Sequence, residues 1–89
     1  MERFLVEIPH EPDEASCLAA IKVFTETGSH YLTHAEFGCE DGFHNAWLFV
    51  DAEDRDEARL VAPPQYRPHA RVTRVKQYAM TGYDAPHGA

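Results

Sequence analysis

The residues best equipped for chemistry lie between positions 30 and 51. His34 and Glu36 stand two apart in a run of β-branched and aromatic residues. On a strand they project to the same side, with about 7 Å between their α-carbons. A carboxylate so placed orients an imidazole and raises its basicity, which makes the pair a candidate general acid and base. Trp47 beside Glu36 would dry the carboxylate and favour its protonated form, the state in which a glutamic acid donates a proton. The competing role for the same pair is a hydrogen bond within a subunit interface. Glu7, His30, Asn45, Trp47 and Phe49 complete the set that would hold a small apolar or aromatic ligand over it.

A second constellation overlaps the first. His30, His34, Cys39 and His44 fall within fifteen residues, a density of nitrogen and sulfur donors that suits zinc or nickel. On a strand, His30 and His34 would be about 13 Å apart and unable to share an ion. Cys39 and His44 face each other across the expected turn and supply two ligands. His10, His69 or a second subunit would have to supply the rest. Cys17 reads as a small packing residue of a helix. The expectation is that no cofactor is needed, with a zinc or nickel ion at Cys39 and His44 as the alternative.

These side chains need a scaffold, and periodicity specifies one. From Arg3 to His10, Phe4, Val6 and Ile8 alternate with Leu5 and Glu7, a half-buried strand ended by Pro9 and Pro12. Pro12, Asp13 and Glu14 open a helix with apolar residues at Cys17, Leu18, Ile21 and Phe24, stopped at Gly28. Residues 29–37 and 43–50 read as strands joined through Gly38-Cys39-Glu40-Asp41-Gly42. Asp54 and Glu57 form a capping-box pattern opening a short helix over 55–61, which Pro63-Pro64 ends. Residues 70–80 form a last strand, and 81–89 a flexible tail.

The order β-α-β-β-α-β is that of the ferredoxin-like unit. The expectation is an α+β fold, one domain over residues 1–80, with a four-stranded antiparallel sheet and two helices on one face. With Asp41-Gly42 at the turn, Glu36 pairs with Trp47, Phe37 with Ala46 and His34 with Phe49. Tyr31, Thr33, Ala35, Phe37, Ala46, Leu48 and Val50 then lie under the helices. His30, Leu32, His34, Glu36, Asn45, Trp47, Phe49 and Asp51 lie on the open face with Leu5 and Glu7. A one-residue bulge at Gly38 would swap the faces of the 29–37 strand.

Composition bounds the function. The chain has 89 residues and a net charge of −7, room for one core. No apolar run approaches the ~18 residues of a membrane span, and Met1-Glu2-Arg3-Phe4 does not open a secretion leader. Two cysteines are too few for a disulfide framework, so a cytoplasmic protein with reduced thiols is expected. Residues 1–57 carry 14 acidic groups against Arg3, Lys22 and Arg55, a balance of −11. Residues 58–89 carry Arg59, Arg67, Arg71, Arg74 and Lys76 against Asp84, a balance of +4. That acidity excludes nucleic acid as a partner and suggests a homodimer in which the acidic hairpin of one copy lies near the basic last strand of the other. No phosphate-binding glycine loop, G-x-S-x-G elbow or C-x-x-C pair occurs.

Phe4-Leu5-Val6-Glu7-Ile8, the segment from Gly28-Ser29-His30-Tyr31 through Ala46-Trp47-Leu48-Phe49-Val50, and Asp56-Glu57-Ala58-Arg59 before Pro63-Pro64 follow one another in a plan that resembles the dimeric α+β barrel group. Within that group it looks like the muconolactone isomerase-like members and related small bacterial proteins in architecture. The resemblance implies a homodimer packed sheet against sheet, with a cleft used for small, often aromatic-derived molecules in isomerisation or cofactor-free oxygenation. No catalytic residue transfers position by position. The function expected is an acid/base enzyme working through His34 and Glu36, and the alternative is a non-catalytic small-ligand or metal-binding module built on His and Cys groups.

Overall fold

Phe4, Val6 and Ile8 alternate along β1 (Glu2–Pro9), and all three are almost fully buried. One face of the strand is thereby committed to the core, and the sheet grows from it on both sides. In the computed structural model, which describes residues 1–27 and 29–78, β1 pairs antiparallel with β3 (Asn45–Ala52) and with β4 (Arg71–Val75). A short β2 (Glu36–Phe37) lies outside β3, giving the order β2-β3-β1-β4. Among the described residues three helices complete an α+β domain: α1 (Glu14–Thr27), α2 (His30–Thr33) and α3 (Arg55–Arg59). Phe24, Leu32 and Ala58, one from each helix, close on Phe4, Val6, Ile8, Ala46, Leu48, Val50, Ala52 and Val72 of the sheet.

Helix starts follow from local chemistry. Asp13 Oδ1 accepts from the Ser16 backbone N–H at 2.8 Å, and Oδ2 from the Ser16 hydroxyl at 2.9 Å. The backbone bond is the main reason that the Asp13 carboxyl is held below its ordinary value. Asp54 caps α3 by accepting from the Glu57 N–H at 2.8 Å, the half of the capping box that its spacing predicts. Arg59 then ties α3 to the start of β4 by donating to the Ala70 carbonyl.

The largest departure from expectation is at residues 29–37. Residues 30–33 form a helical turn, closed by the Thr33 N–H donating to the Ser29 carbonyl at 3.0 Å. Leu32 decides the matter. On a strand it would lie on the open face, whereas the helical turn rotates it inward to 2% exposure. Burying a leucine is worth about 1.5–3 kcal/mol, more than the few tenths by which β-branched and aromatic neighbours disfavour a helix.

The surviving strand pair keeps its register, with Glu36 opposite Trp47 and Phe37 opposite Ala46. In place of a two-residue turn, Cys39–Asp41 forms a 3-10 turn closed by Gly42 in the left-handed region at φ 79°. Gly38 brings this loop against the indole: a Cβ there would stand 2.6 Å from the Phe43 carbonyl and 2.7 Å from the Trp47 ring. β4 ends at Val75, earlier than expected. Gly28, residues 79–80 and the expected tail lie outside the described residues. No described helix is long and apolar enough to cross a membrane.

Candidate metal centre

Three elements meet at one end of the sheet. Pro9 and Asn45 are the last pair of the β1–β3 ladder, and one step beyond it the His10 N–H donates to the His44 carbonyl at 3.2 Å. The two imidazoles therefore stand together, 5.7 Å between centroids and edge to face. Above them α1 begins, and its first turn carries Cys17. From the side the 3-10 turn contributes Cys39.

One donor atom from each of His10, Cys17, Cys39 and His44 lies within 4.8 Å of every other. His10 Nε2 is 3.1 Å from Cys17 Sγ and 3.0 Å from Cys39 Sγ, and Cys17 Sγ is 3.3 Å from His44 Nδ1. With zinc bonds of about 2.3 Å to sulfur and 2.0–2.1 Å to nitrogen, a tetrahedron has N to S edges of about 3.5 Å. The three nitrogen–sulfur distances above are within about 0.5 Å of that edge, and the remaining donor pairs lie within 4.8 Å.

Its electrostatics suit a cation. The Cys17 thiol is pushed up to about 11, first by its hydrogen bond with Cys39, then by burial and by the nearby negative charges of Cys39, Asp13 and Glu14. Burial, and then His44, hold His10 below its ordinary value, against an opposing pull from Asp13. A neutral imidazole keeps the lone pair a metal needs. His10 Nδ1 is buried and has no hydrogen-bond partner, an arrangement that costs about 1–3 kcal/mol. The hydrogen bonds that orient the ring are those of Nε2, on the cluster side.

The other expected site residues are placed differently. Of the proposed additional ligands, His10 joins Cys39 and His44, while His69 lines a cavity of about 400 Å³ shared with His10, Ser16 and Tyr66. Cys17 is buried as a packing residue should be, yet its sulfur points into the cluster. His34 follows α2, where its Nδ1 donates to the His30 carbonyl at 2.8 Å, and Glu36 is exposed on β2. The two do not share a strand face. His30 and His34 are not 13 Å apart: on one helical turn their ring centroids are 4.5 Å apart. No third His, Cys or carboxylate joins that pair among the described residues.

Trp47 is tied to Glu7, not to Glu36, its Nε1 donating to Glu7 Oε1 at 3.1 Å, and Arg71 lies 3.7 Å from the same carboxylate. Phe49 is 52% exposed, with the Arg3 guanidinium 4.3 Å over its ring. The Asn45 carbonyl accepts from the Gly38 N–H at 3.0 Å, so its backbone holds the β2–β3 loop. Compared with known proteins, the chain matches no family model, no curated protein and no solved structure.

Proposed function

We propose that this chain is a metal-binding domain holding one zinc ion on His10, Cys17, Cys39 and His44. The convergence of four nitrogen and sulfur donors within 4.8 Å carries this reading. Two thiolates and two imidazoles are a donor set that zinc takes, whereas nickel(II) favours planar nitrogen and oxygen donors. Four protein ligands fill the coordination of zinc and leave no position for a reactive water, which favours binding over hydrolysis. Both cysteines are free, and a reducing compartment such as the cytoplasm keeps them available. Proton transfer through His34 and Glu36 has less support, because the shared face that would pair them is replaced by α2. Protein purified under reducing conditions and incubated with zinc should retain about one ion per chain by elemental analysis, with His10→Ala and Cys39→Ser retaining far less. A wild-type chain that takes up no zinc would refute the reading.

The open face of the sheet supports the expected homodimer. Across it, Glu36, Trp47, Glu7 and Arg71 form one row, and Phe49, Leu5 and Thr73 the next. The row is acidic at the β2 edge and basic at the β4 edge, with Trp47 and Glu7 between them. A two-fold axis running along the strands between two such faces sets Glu36 of each copy over Arg71 of the other, with Phe49 and Trp47 enclosed. Sedimentation should show a dimer at low salt that weakens as salt rises and is lost in Phe49→Glu. A monomer at every concentration, or a dimer indifferent to salt, contradicts this arrangement.

A further inference from the structure

We infer that the ion is exchangeable cargo, passed to and from thiolate or imidazole donors of another molecule through the opening between Glu14 and Glu40. The inference rests on the zinc reading. An opening of about 270 Å³ is lined by Cys17, Cys39 and His44, with Glu14 and Glu40 as its remaining walls. Three of the four ligands are therefore reachable from one side, and both carboxylates are exposed.

Two further observations separate this centre from a structural one. Of the four ligands only Cys17 is buried, and the apolar cluster that joins sheet and helices includes none of them, so that cluster packs without the ligands. Many small zinc domains, by contrast, are unfolded without their metal. Cys39, moreover, belongs to no strand. Its 3-10 turn is closed by local bonds, from Asp41 N–H and Phe43 N–H to the Gly38 carbonyl and from Gly42 N–H to the Cys39 carbonyl. Cys39 can release the ion without breaking a strand pair.

The exchange is a ligand substitution with no change of oxidation state. An incoming thiol or imidazolium gives its proton to solvent, and its sulfur or nitrogen lone pair adds to zinc from the opening. Zinc tolerates five ligands in passing. The bond to Cys39 Sγ then breaks, the sulfur keeps the electron pair and takes a proton from solvent, and the remaining ligands follow in the same way. Glu14 and Glu40 act before any bond forms, raising the local concentration of the cation.

Zinc-loaded full-length protein, its one ion verified by elemental analysis, is mixed with excess 4-(2-pyridylazo)resorcinol. Release should accelerate in proportion to the chelator concentration, and circular dichroism should show the fold intact afterwards. In the reverse direction, Glu14→Gln/Glu40→Gln should bind zinc as stoichiometrically as wild type yet take it up several-fold more slowly at low salt, a difference that high salt removes. A release rate independent of chelator, or unfolding that accompanies release, would show a sealed structural ion and overturn the inference while leaving zinc binding intact. Failure to load any zinc removes the reading beneath it as well.

Discussion

Cys17→Ser should bind zinc roughly two to three orders of magnitude more weakly than wild type, since zinc held by four protein ligands draws about 10–16 kcal/mol from them together and each tenfold in affinity is 1.4 kcal/mol. Serine replaces the thiol with a group of similar size that does not ionise near neutrality, so α1 and its Asp13 cap stay in place and the metal loses one anionic donor. The wild-type domain gains stability from the ion by mass action, about 4 kcal/mol at a thousandfold excess of free zinc over Kd. At roughly 4–8 °C per kcal/mol for a domain of this size, zinc should raise the wild-type Tm by well over 10 °C. Cys17→Ser should show most of that shift missing at the same zinc concentration, with its metal-free Tm little changed. A chelator-competition titration gives the affinity and a thermal melt gives the shift. Equal affinity in the two proteins would remove Cys17 from the ligand set.

Much of this arrangement was legible in the sequence, and the exceptions share a cause. The alternation of Phe4, Val6 and Ile8 sufficed for β1, and the offset from Asp54 to Glu57 for the start of α3. Turn residues near 41 and 42 fixed Glu36 opposite Trp47 even though the turn itself has another form. Cys39 and His44 were identifiable as donors because the turn brings them face to face, while His10 stood only as one of three further candidates beside His69 and a second subunit. Cys17 was not, because a thiol on the buried side of a helix is the same in sequence whether it packs or ligates. Its donor character appears only when the first turn of α1 is laid over the end of the sheet. Residues 30–33 were misread for a related reason: the burial of one side chain, Leu32, outweighs the local preferences of its neighbours. The His30 and His34 separation and the pairing of His34 with Glu36 both depended on that reading and fell with it. Tertiary packing decides in each case, through contacts that local periodicity does not encode.

Zinc should also remove the alkaline limb of the stability profile. In the metal-free protein the Cys17 thiol is pushed up from its ordinary 9.0 to about 11, with the hydrogen bond to Cys39 as the first cause. The folded state therefore holds a proton that the unfolded chain has released between those values. Stability from this group is complete below about pH 9 and declines as pH rises through about 11. His10 acts at the other end. Burial holds it below its ordinary 6.5, so its contribution is present above that pH and is lost as pH falls through its folded value. Metal-free protein should thus be most stable between the two limbs. Zinc replaces the Cys17 proton, so the loaded folded state binds fewer protons than the unfolded chain at neutral pH, and its stability climbs toward pH 9 where the metal-free form is level. At least one proton should be released per ion bound near pH 7, and affinity should rise at least about tenfold per pH unit from this thiol alone. Calorimetric titrations in buffers of different ionisation heat count the protons, and melts across pH with and without zinc trace the two limbs. Heats independent of the buffer, or alkaline limbs that coincide with and without the ion, would mean that zinc does not bind through the Cys17 thiolate.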